Sequence, residues 1–138
     1  MRAKKMREKK QMIVNKIGIF CAALLLVSCA TTSTSIAVSS GSEAWAGTVF
    51  VSQEAAPADL QYTIMGSVQA DAKVGYDRVE SLYPLLADEA RKIGANAVVS
   101  AKGGRRLTAF SWSAAYVDGI AIKVEDPQQI RGIAGSYH

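Results

Sequence analysis

Ser81-Leu82-Tyr83-Pro84-Leu85-Leu86-Ala87-Asp88-Glu89-Ala90-Arg91-Lys92-Ile93-Gly94-Ala95-Asn96-Ala97-Val98-Val99 changes period part-way along. Leu82, Leu85, Leu86, Ala90 and Ile93 follow the spacing of one helical face. Pro84 is tolerated only in the first turn, and Ser81 or Asp77 is placed to cap. Arg91 and Lys92 sit in the last turn, where cations suit the helix dipole. Gly94 is positioned as the C′ residue that permits a left-handed stop. Burying Leu82, Leu85, Leu86 and Ile93 is worth on the order of 6–12 kcal/mol gross, an upper bound. A helix this short does not persist alone, so its apolar face must cover a sheet.

The rest of that sheet is read outward from the helix. Ala95 to Ala101 is a strand poor in large side chains, broken by Gly103-Gly104. Phe110 to Tyr116 is the next strand, with Trp112. Asp118-Gly119 reads either as a tight hairpin turn or as a bulge inside one long strand continuing through Ile120, Ile122 and Val124. Before the helix, Leu60 to Ala70 alternates, with Leu60, Tyr62, Ile64 and Val68 on one face and Thr63, Ser67 and Gln69 on the other. Gly66 interrupts it and marks a bulge or a close backbone approach. Thr48 to Val51, β-branched and aromatic, is a first strand. The expected fold is a single small α+β domain over residues 47–126, ordered β-β-α-β-β. One helix packs on a mainly antiparallel sheet. Residues 127–138, with two glycines and little periodicity, read as a loose tail.

Upstream, composition changes abruptly. Arg2, Lys4, Lys5, Arg7, Lys9, Lys10 and Lys16 form a basic start, with Met1, Met6 and Met12 all open as initiators. Ile17 to Val27 is an apolar run, about half the roughly 20 residues a membrane span needs. This is the layout of a secretory signal over residues 1–28. The 138-residue chain has net charge +4, but its first 28 residues hold 7 Lys/Arg and one acid. The remainder is left with 9 basic and 11 acidic residues. The basicity therefore belongs to the leader, and no nucleic-acid footprint survives in the rest. Cys21 falls in the apolar run, leaving Cys29 without a partner for a disulfide.

Leu26-Val27-Ser28-Cys29 resembles the lipobox of bacterial lipoproteins at every position. That resemblance implies lipid attachment at Cys29, with the membrane bilayer as the first partner. Ala30 after the cysteine resembles the pattern sent on to the outer membrane, which implies its periplasmic face. Residues 29–46, rich in Ser, Thr and Ala, then read as the lipidated Cys29 and a flexible tether of roughly 20–24 Å reach; the alternative is that part of it forms an edge strand.

Within the domain, Tyr62-Thr63-Ile64-Met65-Gly66-Ser67-Val68 is similar to a strand of the YbjQ-like, so-called heavy-metal-binding domains. Ala87 to Val99 resembles their helix followed by Gly-Ala-Asn-Ala-Val, and Gly119-Ile120-Ala121-Ile122 their closing strand. RcsF-like envelope lipoproteins share a related core. The resemblance implies an α+β envelope domain and leaves oligomer formation open. It departs from the RcsF type in lacking paired cysteines.

Catalytic chemistry finds little to work with. Asp88 and Glu89 are adjacent on a helix and diverge, so they read as a solvated face with an Asp88–Lys92 pair. Ser100, Ser111 and Ser113 have no visible base. His138 is the only histidine and no cofactor or metal is implied. Gly103-Gly104-Arg105-Arg106 reads as a hairpin tip with solvated arginines, or as an anion site. Tyr76, Tyr83, Trp112 and Tyr116 read as core or as a partner surface. The expectation is a non-enzymatic, lipid-anchored interaction or stress-sensing module of the envelope, with an envelope protein as partner. The alternative is a periplasmic small-ligand or metal-binding module.

Overall fold

The computed structural model describes residues 31–38, 41–73 and 78–138. Cys29, the leader, Tyr76 and Asp77 lie outside these. The described residues form a six-stranded mixed sheet and one α-helix, an α+β domain. The strands are β1 (Thr31–Ala37), β2 (Phe50–Val51), β3 (Tyr62–Ala72), β4 (Ala97–Arg106), β5 (Ala114–Val124) and β6 (Ser136–Tyr137). The helix α1 spans Tyr83–Lys92, after a 3₁₀ turn at Val79–Leu82. Spatial order is β1-β3-β5-β4-β2-β6. Every pairing is antiparallel except β2 with β4. The single α+β domain is as expected, but the β-β-α-β-β order is not: the described residues hold six strands, with β1 before and β6 after that run.

The helix ends as its sequence dictates. Gly94 has φ +83°, and the Gly94 and Ala95 N–H groups donate to the Arg91 and Ala90 carbonyls. These are the two bonds of a Schellman stop. Leu82, Leu86, Ala90 and Ile93 are buried. They pack on Met65, Val68, Ala70, Val98, Val117 and Ala121 from the sheet. No side chain caps the start; the Ser81 hydroxyl instead donates to the Arg78 carbonyl.

Two bulges set which residues face the helix. Along β3, Ile64 pairs with Ile122 but Gly66 with Ala121, so Met65 is extra. An extra residue reverses the alternation. Val68, Ala70 and Ala72 therefore face the helix, while Tyr62 and Ile64 lie on the opposite face, separated from Val68 rather than sharing its side. Along β4, Val99 pairs with Ile120 and Lys102 with Asp118. Ser100, at φ +52°, carries this irregularity. Asp118-Gly119 is continuous strand, and the bulge lies on its neighbour.

Three further expectations are corrected. Residues 31–37 are not a tether but the alternative, an edge strand: they pair in full with β3, from Thr31 opposite Ala72 to Ala37 opposite Gly66. Gly103-Gly104 does not break β4, because Tyr116 and Val117 of β5 pair across them, and the strand runs on through Arg106. Phe110 to Ser113 is then a connection, with β5 starting at Ala114. Residues 127–138 are not loose. Pro127–Ile130 is a 3₁₀ turn capped by the Asp126 carboxylate, which accepts from the Gln128 N–H. Ile130 is buried against Phe50, Leu60, Ile122 and Val124, and β6 pairs with β2.

A buried carboxylate fastens β1. Glu89 is 3% exposed, and its Oε1 accepts from Ser33 Oγ at 2.7 Å and Lys92 Nζ at 2.6 Å. The solvated-face reading is thus overturned for Glu89 but holds for Asp88, which pairs with Arg91 rather than Lys92. Burial acts to raise the Glu89 carboxyl, but hydrogen bonds from Lys92, Ser33 and Ser35 hold it below its ordinary 4.5. The folded state therefore keeps the carboxylate where the unfolded chain takes a proton. The stabilisation is present above pH 4.5 and is lost as pH falls through the folded value. Glu89→Ala is expected to cost about 2 kcal/mol at pH 7 and to flatten the stability profile below pH 4.5. Urea unfolding at pH 7 and at a series of acid values measures both.

Candidate functional site

The helix covers one face of the sheet. The other is covered only at the end where Leu60, Ile122, Val124 and Ile130 cluster. The remainder is open. Strand register places Ile36, Ser67 and Ile120 in one row across it, with Ile64 in the next. Ile36 is 72% exposed and Ile64 52%, with Ile120 and Tyr62 also exposed. These apolar side chains are neighbours across β1, β3 and β5 rather than singly scattered. A polar row follows, with Thr34, Gln69, Asp118 and Lys102 across four strands. These groups and Ser100 line a shallow depression.

Beyond it the face is tied by charge. Asp71 accepts from Gln69 Nε2 at 2.8 Å and from Arg106. The Arg106 guanidinium also stacks over Tyr116, 5.3 Å from the ring centroid. Arg105 donates to the Ser113 carbonyl. The two arginines are therefore strand residues with partners, neither a hairpin tip nor a glycine-turn anion site. The tip itself is residues 107–113, and it carries Leu107, Phe110 and Trp112 outward. Of the aromatic residues considered as a partner surface, Tyr83 is core, Tyr116 is half-buried and Trp112 is fully displayed.

One pairing was invisible in sequence. Ser136 Oγ lies 2.7 Å from His138 Nε2, the spacing of a nucleophile and its base. Its surroundings oppose that use. Burial, then the Arg91 cation, hold the imidazole below its ordinary 6.5, so the protonated ring a general base must form is disfavoured. The ring lies edge-on to Tyr83. Arg91 Nη2 donates to the His138 main-chain oxygen and Nε to that of Gly47. The pair closes an edge strand. It follows from i, i+2 alternation on β6, a signal hidden while that segment reads as a tail.

Among the described residues no group of three His, Cys, Asp or Glu side chains is placed to hold a metal ion. Nor does any buried side-chain polar atom there lack a partner. Ser100 borders the depression, whereas Ser111 and Ser113 belong to the tip. No described helix is long and apolar enough to cross a membrane. Comparison with protein-family models, with curated proteins and with solved structures gave no match.

Proposed function

We propose that the chain is a non-enzymatic lipoprotein of the bacterial envelope, acylated at Cys29 and acting as an interaction or stress-sensing module. The observation that carries this is Leu26-Val27-Ser28-Cys29 closing a basic-then-apolar leader. More than one acyl chain, at roughly 0.8 kcal/mol per buried CH₂, gives attachment that one chain does not. The uncovered Ile36, Ile64 and Ile120 support a role in contact rather than catalysis. The resemblance to YbjQ-like and RcsF-like domains supports the same reading, and fold alone supplies no activity. Ala30 favours the outer membrane, facing the periplasm.

Mass spectrometry of the protein from envelope membranes tests it. The expected result is a chain beginning at Cys29 and carrying acyl mass there. A Cys29→Ala chain is expected to keep its leader and to lose cross-links to its envelope partner. Unmodified Cys29 in the membrane fraction would overturn the assignment.

A further inference from the structure

We infer that the β4–β5 tip, residues 107–113, is a second membrane contact that seats in the bilayer interface beside the acylated Cys29. The inference rests on the lipid-anchor reading for its geometry. Thr31, two residues after Cys29, pairs with Ala72 at one end of the sheet. The next residue, Lys73, accepts at its carbonyl from Thr108 Oγ1 of the tip, at 2.8 Å. Strand β4 leaves and β5 returns at that same end, with Arg106 opposite Ala114. The chain reaching back to the anchor and the tip thus emerge together.

The tip is built to hold apolar groups out. The Thr108 N–H donates to the Ser111 carbonyl, the Phe110 N–H to Thr108 Oγ1 and the Ser113 N–H to Ser111 Oγ. Around these bonds, Leu107, Phe110 and Trp112 stand 69%, 76% and 86% exposed. A tryptophan beside aliphatic and aromatic neighbours has the amphipathic character favoured at the headgroup level. Lys73, Arg105 and Arg106 stand behind it, with Asp71 paired to Arg106. Asp59, Glu125 and Asp126 lie around the opposite end, where β3 begins and β5 finishes, together with Lys123 and Arg131. Among the described residues, the end at which β1 begins carries more basic than acidic side chains, a balance that suits an anionic leaflet.

The test uses the protein extracted from envelopes, reconstituted in vesicles of phosphatidylethanolamine and phosphatidylglycerol with brominated acyl chains. Trp45 packs against the core and its ring N–H donates to the Thr48 carbonyl, so it serves as the internal reference. The native protein is expected to show emission moved to shorter wavelength and quenched by bromine. Trp112→Phe is expected to abolish the quenching. Acylated protein with no quenching, or with equal quenching in Trp112→Phe, would overturn the inference while leaving the anchor intact. So would a Trp112 unquenched in vesicles but shielded in native envelopes, which assigns the tip to a protein. Acyl-free protein whose Trp112 is still quenched would sink the anchor reading and keep the tip.

Discussion

An Asn96→Ala chain is expected to unfold roughly 15 °C below the native protein, a loss of about 3 kcal/mol for a domain of this size. Asn96 is buried just ahead of β4. Its side chain donates from Nδ2 to the Val124 carbonyl and accepts at Oδ1 from the Val124 N–H, both at 2.8 Å. It therefore supplies the last rung of the ladder to β5 where the backbone alone does not. Its own N–H donates to the Ile122 carbonyl, and its carbonyl accepts from Phe50, tying in β2. Alanine keeps the backbone bonds and leaves both Val124 groups buried without partners. Asn96→Asp keeps the acceptor and loses the donor, and is expected to fall no less because it also buries a charge. Calorimetric melting of the three chains, with β2 amide exchange as a second readout, decides the matter.

Gly66→Val is expected to strip β1 from the sheet while leaving β3 to β6 folded. A Cβ at Gly66 would run into the Ile36 carbonyl oxygen and stand 3.0 Å from Ala37 Cα. Backbone cannot yield as a flexible side chain does, so β1 must move. Its release also opens the Ser33 bond to Glu89. The total is about 3 kcal/mol, at the upper end for overpacking. Hydrogen exchange should show lost protection across Thr31–Ala37 with β4 and β5 unchanged. Retained protection of β1 would show that the strand shifts without detaching.

What was readable in the chain was what local rules control. The helix and its stop needed only the spacing of Leu82, Leu86 and Ile93 and the glycine after them. The strand around Gly66 was readable too, but the extra Met65 reversed its faces, and nothing in alternation alone reveals a bulge. Thr31–Ala37 reads as a tether because its stability is borrowed from β3 and from a carboxylate on the helix. Gly103-Gly104 reads as a break because strand propensity ignores neighbours, yet Tyr116 packs against the bare Cα of Gly104. Phe110 and Trp112 read as strand by composition, with Trp112 as core or partner surface, and composition alone does not decide between burial and display. Cys29 was legible as a motif, whereas the open sheet face needed the register of β1, β3 and β5 to be seen.

The position of β5 has a consequence for delivery. It lies between β3 and β4, which do not pair with each other. A chain threaded across a membrane from its amino end thus has no sheet centre to close on until residue 124 has followed. Until then it presents two unmatched strand borders, a state prone to wrong pairing and suited to a holding chaperone. Under the proposed lipoprotein reading, this topology alone would separate export from folding, since the strand that joins the two halves of the sheet lies late in the chain.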